Sequence, residues 1–430
     1  MQYTTRFFTR FALLLLLLAI VAGVAASFAY LIPGWFNERL PFHKLRPVHA
    51  SAALFWVITG AAACVSYYSK RTSTAFMWIW MTTIVVIFLN YIFNNYGGRE
   101  YWEFPVWLNL PLLVAWILFL LSFVRRIPGK APVYAWMWTS GILFFLVTFL
   151  EQNLYNIPWF RESFLREVTV QWKANGAMVG AWNQMINGVS VFLLVALSGK
   201  PELGQTKKAY FLFFLGLFNM MFNWGHHVYN VPNNNWMRHV AYAVSMTEWV
   251  IILIIIRDFR KSLSTARKFE NLVVYRFISS AEIWVAANLL LALFMSIPAI
   301  NRYTHGTHIT VAHAMGTTIG INTMLLLAGF GYMLRIDSVG EGTKQLIRIC
   351  ITINNICLGV FWLALIAAGW VKGYLSVGHP ETLFSDVMAA VNPYLQIFTG
   401  AGLGVMIALA IITVLYLKHS GRREMPAREL

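Results

Sequence analysis

The sequence predicts an all-α, polytopic membrane protein, a bundle of twelve transmembrane helices, and three observations predict it. Of its 430 residues, 59% are hydrophobic and 12% charged, half the charged fraction of an ordinary soluble domain. The apolar residues gather into twelve runs of about 20, the length that crosses a roughly 30 Å hydrocarbon layer. Lys and Arg concentrate in alternate connections between those runs, as the positive-inside rule requires.

In chain order the runs lie near 11–31, 49–68, 75–93, 106–124, 133–151, 172–198, 208–229, 238–256, 277–298, 306–334, 348–371 and 393–417. The first follows Arg6 and Arg10 and has small residues near Ala25 and Ala26, the marks of a signal peptide. Its apolar stretch is too long for a signal h-region, so it is read as a helix. The connections are short, leaving no room for a soluble domain, and residues 1–430 read as a single membrane domain. With the N-terminus in the cytoplasm, 23 of the 33 Lys and Arg fall in inner segments. Both termini are then cytoplasmic, in a bacterial-type inner membrane.

This charge pattern also narrows the function. A net charge of +16 would suggest nucleic acid in a soluble protein; here it holds topology, with membrane lipid as the ordinary partner and no nucleic acid. Cys64, Cys350 and Cys357 all lie inside apolar runs, which excludes a disulfide-stapled chain. Twelve helices is also a common transporter count, but motifs of the first six do not recur in the last six.

Chemistry concentrates at one level. His49 opens the second segment, His226 and His227 end the seventh, and His313 sits about two turns into the tenth. At 1.5 Å per residue, all four fall in the outer half of the membrane. A single buried His is as often a hydrogen-bonded core residue as a ligand. The adjacent pair His226 and His227 is different, since both rings reach one metal at a helix end.

Other polar groups surround this level. Asn183 and Asn187 are spaced i,i+4 on the sixth segment, as interhelical hydrogen-bond partners or as part of the site. Glu248 on the eighth segment lies beside the histidines and suits proton supply or site polarity. Glu282 on the ninth lies near the inner end, where it reaches interfacial water. The outer loop from Gly97 to Pro105 carries Arg99, Glu100 and Glu103; hard oxygens suit Ca²⁺ and a guanidinium suits carboxylates, while a solvated loop is the plain alternative.

Together these residues resemble the large subunit of the haem-copper oxidase superfamily. The resemblance rests on Leu45-Arg46-Pro47-Val48-His49, Gly225-His226-His227, and Tyr303-Thr304-His305-Gly306-Thr307 followed by His313. The loop Gly98-Arg99-Glu100…Glu103…Pro105 is similar to the calcium loop of the cytochrome c-dependent nitric oxide reductases and places the likeness nearest that branch. It implies that His49 is an axial ligand of a low-spin haem b and His313 the proximal ligand of a high-spin haem b. It further implies that His226 and His227 bind a non-haem iron or copper, that Glu100 and Glu103 hold Ca²⁺, and that Arg99 pairs with haem propionates.

Three positions depart from the family pattern. The third metal His and a Glu four residues later are read as Asn183 and Asn187. The second low-spin His is Met315, whose thioether is able to ligate haem iron and raises its potential. The tyrosine of oxygen-reducing members has Asn187 and Met220 at its nearest positions, which argues against terminal oxidase activity. The leading expectation is therefore reduction of NO to N₂O, with electrons from a cytochrome c-type small subunit on the outer face. The alternatives, in order, are NO dismutation to N₂ and O₂, a non-catalytic haem gas sensor, and a transporter without haem.

Overall fold

A computed structural model describes the chain except residues 1–2, 33–40, 72, 125–130, 230, 233, 245, 248–269 and 422–430. The described residues form helices and no named strand. Among the described residues ten helices are long and apolar enough to cross a membrane, two fewer than the twelve segments expected. One shortfall is physical: the seventh segment forms α-helix only over Lys207–Phe222, 16 residues, and tightens into a 3₁₀ helix at Asn223–Val228. Much of the eighth segment, Glu248 included, lies outside the described residues.

The long helices are α1 (Tyr3–Ser27), α2 (Phe42–Tyr68), α3 (Thr74–Ile92), α4 (Asn109–Val124), α5 (Val133–Gln152) and α6 (Phe164–Ser198). They continue as α7 (Lys207–Phe222), α8 (Leu272–Ser296), α9 (His308–Met333), α10 (Glu341–Gly373) and α11 (Phe384–Ser420). Their ends follow local chemistry. Ser73 and Ser163 accept hydrogen bonds from the backbone N–H groups of Phe76 and Arg166, capping α3 and α6. Gly199, at φ +66°, closes α6 in the left-handed conformation that glycine adopts freely. Asp337, in the turn after α9, accepts from Val273 N–H at 2.8 Å, so α8 and α10 begin at the same end of the bundle.

Side-chain bonds that satisfy polar atoms in the apolar interior join the helices. Trp56 of α2 donates to Thr323 Oγ1 of α9 at 2.9 Å, and Trp80 of α3 donates to Thr59 Oγ1 of α2 at 2.9 Å. Asn355 Oδ1 of α10 accepts from Ser280 at 2.7 Å and Trp284 at 3.0 Å, both on α8. Within α9, residues Gly316–Thr323 form a π-helical segment directly after the turn that carries His313. Such widened turns re-aim side chains and gather at functional sites.

Close backbone approach sets the end of the bundle where α10 finishes. A Cβ on Gly369 would lie 2.4 Å from Ile309 N, and one on Gly373, a turn later, 2.0 Å from Tyr303 O. Helix α10 is thus pressed against the segment that leads into α9. Gly373→Ala should destabilise the protein by about 1–3 kcal/mol, the usual cost of overpacking. Thermal unfolding of the detergent-purified protein checks this, and an unchanged transition would show that α10 has room there.

Candidate functional site: a histidine layer near the outer end of the bundle

Helix α2 presents His49 to α1. Its Nδ1 lies 2.8 Å from the carbonyl of Ala19; a carbonyl only accepts, so Nδ1 carries the proton and Nε2 keeps its lone pair. This fixes the tautomer a metal-binding imidazole needs. One turn along α1, a Cβ on Gly23 would lie 2.6 Å from the ring, so only glycine lets the imidazole lie flat against that helix.

Asn288 of α8 holds the turn carrying His313. Its Nδ2 donates to the His313 carbonyl at 3.0 Å and to Thr317 Oγ1 at 2.8 Å, while Trp362 of α10 donates to its Oδ1 at 3.3 Å. The ring Nδ1 of His313 is buried without a hydrogen-bond partner. A buried polar atom left unpaired costs about 1–3 kcal/mol, so this site has a place for a group beyond the polypeptide. Met315, two residues on, is the last residue of the α-helical turn and packs half-buried against the main core.

His226 and His227 lie in the 3₁₀ segment after α7, a correction to their expected place in that helix. Their ring centroids are 4.3 Å apart and inclined at 32°. His227 lies within electrostatic reach of His313 and of His305, so three half-buried imidazoles belong to one neighbourhood. His305, from the motif Tyr303–Thr307, is an addition to the expected site; burial among neighbours, among them the Trp172 ring at 5.0 Å, holds its imidazole below the ordinary titration range.

Helix α6 departs most from expectation. The α6 residue that meets His227 is Gly176: a Cβ there would lie 2.8 Å from His227 Cδ2. One turn on, a Cβ on Gly180 would lie 3.1 Å from Met220 Cγ. Asn183, expected as the third ligand, is seven residues and roughly 10 Å deeper, where its Oδ1 accepts from Asn322 of α9 at 2.9 Å. Asn187 is exposed. The glycine spacing was visible in the sequence, but nothing there showed which face met the histidine pair.

The outer loop is a tight turn. Gly98 takes φ +66° with no room for a Cβ, which would lie 1.9 Å from Trp102 O, and Arg99 N–H donates to the Trp102 carbonyl at 3.2 Å. Glu100 and Glu103 are both bound by Arg46 of α2, Glu100 at 3.0 Å. The two carboxylates expected to hold Ca²⁺ are thus both bound by one guanidinium. Arg99, expected to meet haem propionates, turns inward, 8% exposed, donating to the carbonyls of Gln152 and Glu167 at 3.4 and 3.3 Å and stacking on Tyr155.

A membrane-spanning helical bundle with imidazoles from separate helices gathered at one level belongs to the integral-membrane metal oxidoreductases. The chain matches the family described as Cytochrome C and Quinol oxidase polypeptide I over residues 4–404, and it is a member of that family. It is 22% identical to a nitric oxide reductase subunit of Stutzerimonas stutzeri, over 85% of this chain and 83% of that one. It is 24% identical to cytochrome c oxidase subunit 1 of Rhodobacter capsulatus, over 93% and 81%. Its fold is similar to a heme-copper terminal oxidase solved by cryo-electron microscopy, with TM-score 0.74 and 14% identity, covering 99% of this chain and 86% of that one. The family's cofactors are haems with copper or non-haem iron. His49 and His313 fit haem, by a fixed tautomer and by an unpaired buried nitrogen. At its contact with the His227 ring, α6 presents Gly176 and so contributes no metal ligand there. Among the described residues no three His, Cys, Asp or Glu are grouped to hold a metal.

Two experiments follow. Gly23→Val should push the His49 ring off α1 and abolish the low-spin haem signal while the high-spin signal persists, as read by optical and EPR spectra; loss of neither would remove His49 as a ligand. Arg46→Ala should destabilise the protein by about 1–2 kcal/mol, a value for a half-exposed pair, whereas chelation should leave its melting unchanged. Burial already raises the Glu103 carboxyl above its ordinary range, with Arg46 pulling it down. Without Arg46 it rises further, so the deficit should be full at pH 8, shrink as pH falls toward 5, and be partly rescued by Glu103→Gln.

Proposed function

We propose that this chain is a haem-b-carrying membrane subunit, one unit over residues 1–430, that reduces NO to N₂O with electrons from a cytochrome c-type partner on the outer face. The observation carrying this reading is that His227 lies within electrostatic reach of both His313 and His305, all three half-buried, with Met220 rather than a phenol facing Gly180. His49, with Met315 as a second donor, would hold the low-spin haem, and His313 the high-spin one; these groups supply electron transfer and gas binding.

The chain's own part is orientation and proton supply. Asn288 fixes the His313 turn from α8 and α10, so the imidazole enters the pocket from one direction. Gly176 of α6 brings His227 close to that helix. Reduction of two NO needs two electrons and two protons. His305, neutral through burial and between Trp172 and His227, suits transfer of protons inward from the outer face.

Gly176 and Gly180 favour a second reading. Without a ligand or carboxylate on that face of α6, disproportionation of two NO to N₂ and O₂ needs neither external electrons nor protons. Isotopically labelled NO given to the purified, haem-loaded complex separates the two. Labelled N₂O formed only with a reduced donor supports the first, and N₂ with O₂ in the absence of donor supports the second. No turnover by fully haem-loaded protein would overturn both and leave gas binding without chemistry.

A further inference from the structure

At the opposite end of the bundle from the histidine layer, Arg276 of α8 and Gln345, Arg348, Ile349, Thr352 and Ile353 of α10 line a shallow, open groove of about 310 Å³. The two helices are joined deeper in the membrane by Asn355, which accepts from Ser280 and Trp284. The groove lies along the first turns of both helices. Among the described residues neither arginine has an ion-pair partner, and Arg348 Nε is buried without a hydrogen bond. No carboxylate lines the groove.

Below each arginine runs an apolar stripe on the same helix face. On α10 it is Ile349, Ile353, Ile356 and Val360, spaced 4, 3 and 4, with exposures of 47, 42, 63 and 44%. On α8, Ile283 and Leu290 follow Arg276 at successive sevens, each 59% exposed. This spacing keeps residues on one side of a helix. Helix α10 has 33 residues where about 20 cross the hydrocarbon, so Arg348, seven residues in, stands at headgroup depth. The basic residues of the inner segments assign this end to the cytoplasmic leaflet.

We propose that this groove is a binding site for the phosphate headgroup of an anionic membrane phospholipid, with an acyl chain laid along the α8 and α10 stripes. Two guanidiniums answer one phosphate with charge-assisted bonds, Gln345 and Thr352 add neutral partners, and the stripes answer the chain. A soluble phosphate would use the arginines and leave the stripes unexplained; the two sources share their headgroup chemistry and differ in the tail. The site is independent of the redox reading above, since it touches none of its residues.

Native mass spectrometry of the detergent-purified protein tests this with phosphatidylglycerol, phosphatidylcholine of the same acyl chains, and inorganic phosphate as competitor. Wild type should retain phosphatidylglycerol over phosphatidylcholine, and Arg276→Gln with Arg348→Gln should lower that retention roughly tenfold, from two interfacial charges. Lys344→Gln, which removes a nearby charge outside the groove, should retain the lipid, and Arg276→Gln alone, at an exposed position, serves if the double variant folds poorly. Equal retention by wild type and the arginine variants overturns the site. Displacement of the lipid by millimolar inorganic phosphate overturns the lipid as its occupant.

Discussion

The structure depends on polar side chains being seated inside an apolar bundle by close backbone approach. Where α1 meets α2, Gly23 lets the His49 ring reach the Ala19 carbonyl; where α6 meets the segment after α7, Gly176 admits His227. A Cβ on Gly316 of α9 would lie 2.3 Å from Asn288 Oδ1, the amide that binds the His313 turn. In hydrocarbon an unpaired polar group has no water to fall back on, so each such contact decides whether an imidazole has one orientation or several. The histidine layer is ordered by its neighbours more than by its own helices.

That seating has a chemical consequence at α6. A helix that approaches His227 closely enough to contact its ring has no space for a side chain at the contact, so close packing and a third ligand are alternatives at residue 176. The protein has the close packing. Beside that contact, Met220 packs in the space that Gly180 leaves.

The outer loops show the same economy in electrostatics. Arg46 stands one turn before His49 and binds two loop carboxylates, so the α2 start, the Gly98 turn and His49 are linked through one guanidinium. Trp102 and Phe104 of that loop are buried against Phe55 of α2, with ring centroids 6.1 and 6.2 Å away. Charge and aromatic packing therefore fix the loop together. Arg99 serves the neighbouring ends of α5 and α6 instead, binding carbonyls that the helix ends leave open.

The sequence by itself determined the all-helical membrane class, because apolar length and scarcity of charge are local properties that a bilayer reads directly. It also pointed to His227 and His313 as neighbours, and the two lie within electrostatic reach of each other. The rotation of a helix does not follow from residue counts. Which face of α6 meets His227 depends on how α5, α6 and α7 pack, and that placed Gly176 at the contact and Asn183 against Asn322. Likewise Glu100 and Glu103 announced a cation from the sequence, but the cation that answers them is Arg46, more than fifty residues away. Pairing across such separations is settled only when the tertiary structure brings helix ends together, because the Coulomb energy and the desolvation it must offset both depend on distance and burial.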